Sequence, residues 1–162
     1  MKKIHLLLFA SLLSITIISV AQDKVSLGDA ISLEDMKSLE VYNLGILKFN
    51  EKDYSTAISH FDSAITMSPN YEKAYFDRGS AKYQLKDYEN AIIDFSKSIE
   101  LNPDSTEAFY LRARSYENLK NNEAAFKDYT SETTVNPTNA EAHYYKGGIN
   151  YINEKYDEAI ID

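Results

Sequence analysis

The chain has 162 residues and a formal net charge of −8 at pH 7. Nucleic acid and anionic membrane surfaces are not expected partners, because they are bound through basic surface and the chain has no block of Lys and Arg. It also contains no cysteine, which excludes disulfide bonds, thiol catalysis and cysteine-based metal sites. A fold built from this sequence must therefore be held together by packing.

The N-terminus has the pattern of a secretory signal peptide. Lys2 and Lys3 precede an apolar run from residue 6 to residue 20, and small residues stand before Gln22. We expect cleavage after Ala21 and a periplasmic or secreted protein with a net charge of −10. The alternative is an uncleaved membrane anchor, although the run is shorter than the ~20 residues that a bilayer span needs. Residues 22–37 are interpreted as a linker.

From residue 38 onward the sequence repeats every 34 residues. This spacing separates all three prolines, four alanines and a series of aromatic residues: Pro69, Pro103 and Pro137; Ala57, Ala91, Ala125 and Ala159; Tyr42, Phe76, Tyr110 and Tyr144. Such a period predicts a stack of similar units that each bury their apolar face against a neighbour. The units are 38–71, 72–105 and 106–139, with a partial fourth at 140–162.

Each complete unit is predicted to be a pair of helices joined by a turn. The apolar spacing places helices near 33–50, 55–68, 72–85, 89–101, 106–119, 123–135 and 140–153. Asp53 and Asp87 stand where a side chain could cap the second helix. Gly45 and Ala57 are small where the two helices would cross, and Phe61 would fill the remaining space.

On these residues the chain resembles a tetratricopeptide repeat (TPR) protein, over residues 38 to 162. The resemblance rests on a recurring set of glycine, alanine, aromatic and proline positions: Gly45, Asp53-Tyr54, Ala57, Phe61, Ala64 and Pro69; Tyr75, Gly79, Asp87-Tyr88, Ala91, Phe95 and Pro103; Ala113, Tyr116, Ala125, Tyr129 and Pro137; Gly147, Tyr156 and Ala159. It implies an all-α solenoid with a right-handed superhelix. One departure is Glu132, where the earlier units have Ala64 and Ser98. We expect poorer packing there, or a side chain turned toward solvent.

In this family the first helix of each unit lines a concave groove. The resemblance places the groove wall at Tyr42, Ile46 and Phe49; Phe76, Ser80 and Tyr83; Tyr110, Arg114 and Glu117; and Tyr144, Gly148 and Tyr151. All of these except Ile46, Glu117 and Gly148 are the predicted binding residues. An aromatic wall suits an extended peptide or a partner's helix, although the rings could instead pack between units. A clamp for a C-terminal carboxylate is disfavoured, since only Arg114 fits the family's pattern.

Nothing in the sequence indicates an enzyme. His60 and His143 fall in different units without a metal-binding spacing, and the acidic residues follow helical surfaces without forming a distinct pair. We expect no catalytic residue, no metal and no cofactor. Arg78, Arg112 and Lys146 recur every 34 residues, which we interpret as stems packed between helices with the charges at the edge.

Three functional hypotheses follow. The first is an exported, non-enzymatic scaffold that binds a protein or peptide in the groove. The second is an interaction module of a longer exported protein whose enzymatic or signalling domain lies beyond residue 162, because residues 156–162 give only the start of a second helix. The third is a surface component held at a membrane by an uncleaved N-terminus.

Overall fold

The computed structural model describes residues 33–161, all of whose regular structure is helical. Within this range there are eight helices: α1 (Leu33–Asn50), α2 (Tyr54–Met67), α3 (Glu72–Gln84), α4 (Tyr88–Leu101), α5 (Thr106–Asn118), α6 (Asn122–Val135), α7 (Ala140–Ile152) and α8 (Tyr156–Ile161). The ends of the seven predicted helices agree with α1 to α7 within one residue. The chain is the predicted all-α solenoid of helical hairpins.

The N-terminal predictions lie outside the described residues. These are the signal peptide at 1–21 and most of the linker, whose last residues from Leu33 already belong to α1. Residues 37–162 form one compact unit, and Leu33–Met36 are the described part of a second. None of α1 to α8 is long and apolar enough to cross a bilayer.

The turn inside each hairpin has the same backbone structure in all four units. A non-glycine residue adopts a left-handed conformation just after the first helix, with φ between 59° and 63°: Lys52, Lys86, Lys120 and Glu154. In the first turn, Lys52 N donates to Phe49 O and Asp53 N donates to Lys48 O, both at 2.9 Å. This hydrogen-bond pattern is a Schellman motif, which satisfies the last carbonyls of the first helix and reverses the chain.

The helices of a hairpin cross where the sequence places its smallest residues. A Cβ atom added to Gly45 would lie 2.5 Å from Phe61 Cε1, and one added to Gly79 would lie 2.9 Å from Phe95 Cε1. Ala57 and Ala91 are fully buried beside these rings. The glycines at these two positions therefore allow the close approach of the two helices, as predicted, and the third hairpin has the fully buried Ala113 at the same position.

Capping of the second helices follows the prediction in one of two cases. The Asp53 carboxylate accepts a hydrogen bond from Thr56 N at 3.2 Å, so this residue caps α2. Asp87 does not cap α4. Its carboxylate oxygens accept from Asn90 Nδ2 instead, at 3.0 and 2.9 Å. A side-chain amide one turn away has competed with the backbone for the same acceptor.

Two acidic residues are buried in ion pairs, whereas the sequence pattern predicted that they lie on the surface. Arg78 donates to both carboxylate oxygens of Asp94, at 2.9 and 2.5 Å. Arg112 contacts Asp128 in the same bidentate way, at 2.7 Å for each bond. Asp94 and Asp128 are 1 % and 3 % exposed. The arginine charges thus neutralise carboxylates inside the hairpins, which corrects the expectations that these charges lie at an edge and that the acidic residues follow helical surfaces.

Glu132 is also buried, so of the two expectations, poorer packing or a side chain turned toward solvent, the second is wrong. Its side chain is fully inaccessible. One oxygen, Oε1, accepts from Asn139 Nδ2 at 2.6 Å, whereas Oε2 has no hydrogen-bond partner. Burial raises the pKa of this carboxyl group. The third unit therefore contains a locally unfavourable residue where its predecessors have serine and alanine.

Candidate functional site

The predicted groove wall lies on α1, α3, α5 and α7, the first helices of the four hairpins. On each helix the wall residues are at positions i, i+4 and i+7, which share one helix face. The i positions hold an aromatic ring in every unit, and the i+7 positions hold one in three of the four. The surroundings of these rings decide which of them are available to a ligand.

The rings at the i positions of the first three hairpins are fixed by the fold. Each packs against the large aromatic residue of its own second helix, with centroid distances of 5.7 Å for Tyr42 and Phe61, 5.9 Å for Phe76 and Phe95, and 6.1 Å for Tyr110 and Tyr129. All three wall rings are partly buried. They serve packing and present only one part of the ring to the wall.

Two of these three rings, Tyr42 and Tyr110, also join neighbouring hairpins. Tyr42 donates its hydroxyl to Asp77 Oδ2 at 2.6 Å, and Tyr110 donates to Glu141 Oε1 at 2.6 Å. Burial is the main cause that raises the pKa of both phenols above the ordinary tyrosine value, and the hydrogen bonds to acidic groups raise it further. Burial likewise raises the pKa of Asp77. The tyrosines remain neutral donors that set the register between hairpins.

The i+4 and i+7 positions differ between hairpins. Phe49 and Tyr83 are partly buried, and each makes an edge-on contact with the first residue of the following helix, Tyr54 at 5.2 Å and Tyr88 at 5.4 Å. Ser80 is 8 % exposed and donates its hydroxyl to Phe76 O at 2.9 Å. Ser80 therefore gives the wall almost no accessible polar group.

Arg114 is the centre of a polar cluster on the wall of the third hairpin. Its Nη1 donates to the hydroxyls of Tyr110 and Tyr145, and its guanidinium carbon lies 4.5 Å from the Tyr145 ring centroid. Its Nε is 3.4 Å from Glu117 Oε2. Tyr129 donates to the same Glu117 oxygen at 2.7 Å. The only basic residue of the predicted wall is thus already paired with a carboxylate and two phenols.

The most open part of the wall is on α7. Tyr144 is 75 % exposed and Tyr151 is 66 % exposed. Gly148 lies between them, and a Cβ atom added there would have no neighbour within 4 Å. Seven helical residues correspond to a rise of about 10 Å. The two rings therefore flank an open space on the helix. The sequence predicted that Gly148 belongs to the wall but not that the space around it is open.

The histidine and acidic side chains of the described residues do not assemble into a metal site. No group of three or more His, Asp or Glu side chains within residues 33–161 could hold a metal ion. His143 Nε2 lies 3.3 Å from Pro137 O and so contacts the loop that precedes α7. The wall offers aromatic surface and hydrogen-bonding groups, which is the chemistry of binding.

The architecture defines a class of repeat protein with paired helices every 34 residues. Family models agree: three tetratricopeptide repeat models match residues 41–71, 72–105 and 110–162. The chain belongs to the tetratricopeptide repeat family. No curated protein sequence matches it.

Solved structures have the same fold. A crystal structure of MamA superposes with a TM-score of 0.73 at 20 % identity, over 76 % of this chain and 72 % of that one. MamA from Desulfovibrio magneticus RS-1, residues 41 to the end, gives 0.70 at 22 %, over 76 % and 70 %. The first TPR domain of Spaghetti (RPAP3), bound to the HSP90 peptide SRMEEVD, gives 0.72 at 26 %, over 77 % and 99 %. Tetratricopeptide repeats form protein–protein interaction modules, and this chain is one of them.

Proposed function

We propose that this protein is a non-enzymatic scaffold that binds an extended peptide or a partner's helix along the groove wall. The observation that carries the proposal is the aromatic wall itself, with a ring at the i position of α1, α3, α5 and α7 and at the i+7 position of α1, α3 and α7. On α7 these rings are Tyr144 and Tyr151, on either side of Gly148. Exposed aromatic side chains contribute strongly to protein interfaces, because they bury a large area at a small cost in conformational entropy. The open space at Gly148 would admit one side chain of the ligand between them.

The charges on the wall favour a ligand that is apolar with neutral or basic flanking residues. Arg114 is neutralised by Glu117, while Asp77 and Glu141 are acidic groups at the junctions between hairpins. A ligand carboxylate would compete with Glu117 for Arg114 and would meet these other carboxylates. The wall therefore lacks the free cations that a clamp for an acidic C-terminus requires.

We also propose that the chain acts outside the cytoplasm, on the basis of the signal-peptide pattern at residues 1–21. Expression of the full chain should give an exported protein that begins at Gln22, as read by mass spectrometry of its N-terminus. Recovery of a membrane-bound form that retains Met1 would contradict this part of the proposal and favour the anchored alternative.

The groove is tested by truncation of its exposed rings. Tyr144→Ala with Tyr151→Ala should weaken a peptide selected from a random library against the native protein by about 30-fold or more, since the loss of even one anchor typically costs ~2 kcal/mol or more. The matched control is Ile93→Ala on α4, which removes a side chain that is 64 % exposed away from the wall. Unchanged affinity in the double variant, with helicity retained, would exclude these rings as the binding site.

Phe76 and Tyr110 are less suitable for this test. Their rings pack on Phe95 and Tyr129, so alanine at these positions would remove core contacts together with any ligand contact. A loss of binding in such variants would not distinguish a damaged fold from a lost anchor.

A further inference from the structure

The outward face of α1 is a second exposed surface, distinct from the groove wall. Residues 40, 44 and 47 of α1 correspond, at intervals of 34, to positions through which α3, α5 and α7 contact the preceding hairpin. At position 44 the equivalents are Arg78 and Arg112, which donate to Asp62 Oδ1 at 2.6 Å and to Ser96 Oγ at 2.9 Å. This register identifies the α1 face as the free end of the repeat stack within residues 37–161.

The equivalents of Leu47 are completely or almost completely buried: Ala81, Ser115 and Ile149, at 0 %, 0 % and 2 % exposure. Leu47 itself is 50 % exposed and Leu44 is 44 % exposed. The α1 face therefore presents two leucines at positions where the other first helices are covered.

The residue types do not suit another hairpin of the same kind. Glu40 stands where the later units have fully buried alanines, Ala74, Ala108 and Ala142. A hairpin packed as closely as the others would bury this carboxylate, which is costly unless it is paired. Leu44 also lacks the polar group with which Arg78 and Arg112 reach the preceding hairpin. The face is suited to a single helix that offers apolar contacts and basic partners.

We propose that α1 pairs in antiparallel orientation with α1 of a second copy of this chain, across a two-fold axis at Leu44. The exposed or partly exposed residues 37, 40, 44, 47 and 51 follow the alternating three- and four-residue spacing of a coiled-coil seam. About an axis at Leu44, the Leu44 side chains of the two copies meet. Residues at equal distances along the chain on either side of Leu44 then face each other across the axis. Lys37 then faces the partner's Glu51, and Glu40 faces the partner's Lys48.

Charge selects this orientation. Each of the two ion pairs occurs twice by symmetry, so four oppositely charged contacts flank the apolar centre. In a parallel pair, Lys37 would meet Lys37 and Glu40 would meet Glu40, and like charges at close range are unfavourable. Lys48 and Glu51 already form a surface pair within one chain at 2.8 Å, with 35 % and 51 % of their side chains exposed. Both remain accessible to a partner.

The contact leaves the groove open. Tyr42 and Phe49 lie on roughly the opposite side of α1 from Leu44, because successive helical residues are separated by about 100°. A dimer would therefore present two groove walls to one partner or to two. The contact from residue 37 to residue 51 is only about 21 Å long. A contact of this length between two single helices buries less than the ~800 Å² per partner of a standard interface. We therefore expect a dissociation constant on the order of 100 μM.

Sedimentation velocity over about 5 to 500 μM tests the proposal. The full chain and the form beginning at Gln22 should both shift from monomer to dimer, and the shift should weaken as salt is raised. Leu44→Glu sets two carboxylates against each other at the axis and should keep the chain monomeric. The control is Ile93→Glu, which adds the same charge at an exposed site on α4. This variant should dimerise like the native chain.

A charge exchange tests the orientation. Glu40→Lys alone should weaken the dimer at least tenfold, and addition of Lys48→Glu should restore it, because the pairs then form with exchanged signs. Circular dichroism establishes that each variant retains its helices. A native chain that is monomeric throughout the range would overturn the proposal. So would dimerisation that Leu44→Glu leaves unchanged, or a double variant no stronger than the single one.

Discussion

Glu132 makes a sharp prediction, because its environment is unfavourable for a charged group in a way that a small substitution can relieve. The carboxylate is fully buried on α6, one oxygen is bound by Asn139, and Oε2 has no hydrogen-bond partner. Glu132→Gln keeps the shape of the side chain and the acceptor for Asn139 while removing the charge. We therefore expect the variant to be more stable than the native protein at neutral and alkaline pH.

The magnitude follows from the cost of an unsatisfied buried polar group, about 1–3 kcal/mol and more when it is charged. The NH2 group of glutamine would take the place of Oε2 and would also have no hydrogen-bond partner there, so part of this cost remains. We expect a gain of about 1–2 kcal/mol in unfolding free energy at pH 8. For domains of this size each kcal/mol raises Tm by roughly 2–8 °C. A change of this sign is unusual, since most substitutions of buried residues destabilise a fold.

The gain should depend on pH in a defined direction. Burial raises the folded-state pKa of Glu132 above its unfolded value near 4.5, so the folded protein binds the proton more tightly. The penalty is present in full above the raised pKa and disappears as the pH falls toward 4.5, where the native side chain is itself neutral. The difference in unfolding free energy between variant and native protein should shrink from pH 8 to pH 4.5.

Urea unfolding at both pH values measures this difference. The control is Glu123→Gln, which removes the same charge from an exposed position of the same helix. Because Glu123 lies in the first helical turn, its loss should cost a few tenths of a kcal/mol. The reasoning is refuted if Glu132→Gln gains nothing at pH 8, or if its gain is the same at both pH values.

Three further predictions concern the ion pairs, the turns and the ligand. Arg112→Met should lower the unfolding free energy in urea by about 3–5 kcal/mol, because it leaves the buried Asp128 carboxylate without its arginine partner. Arg78→Met should cost less, because Lys82 Nζ remains 2.8 Å from Asp94. Equal costs would contradict this account. Lys86→Gly should stabilise the protein by about 0.5–1 kcal/mol by relieving a left-handed conformation at φ 63°, and a loss in the same assay would contradict it. The acidic peptide SRMEEVD should show no binding in calorimetry below about 100 μM, since Arg114 is already paired with Glu117; micromolar affinity would contradict the proposed charge preference.

The helices could be predicted from the sequence because their determinants are local. Pro69, Pro103 and Pro137 each follow the end of a second helix within two residues, and the 34-residue period transfers every boundary from one hairpin to the next. The crossing at Gly45 and Phe61 was also predictable, because a residue without Cβ leaves room for the aromatic ring of the facing helix.

The buried charges could not be predicted in the same way, because they depend on where tertiary packing places a helix face. Asp94 and Asp128 look like surface residues of α4 and α6, although each follows an arginine by sixteen residues at the same 34-residue interval. That joint spacing was the available signal. Glu132 gave a signal of its own by replacing a small residue, but its hydrogen-bond partner, Asn139, lies in the next loop, and the sequence did not indicate this contact.

The groove wall was predictable in its members and less so in their exposure. Ser80 and Arg114 occupy the same position of the repeat, yet Ser80 is 8 % exposed whereas Arg114 is partly exposed and donates to Tyr110 and Tyr145. Ser80, predicted as a wall residue, is nearly buried, and its hydroxyl donates to Phe76 O within the same helix. Side chains with equal spacing differ here because their tertiary neighbours differ.

The central claim, that partners are bound along the groove wall, is tested most directly by site-specific photocrosslinking in the native host. p-Benzoylphenylalanine in place of Tyr144 or Tyr151 should crosslink a partner protein in the exported fraction, and the same group in place of Ile93 on α4 should not. Both wall positions and the control position are largely exposed, at 75 %, 66 % and 64 %, so accessibility alone cannot produce the difference. Crosslinks from position 93 that equal or exceed those from the wall would contradict the claim.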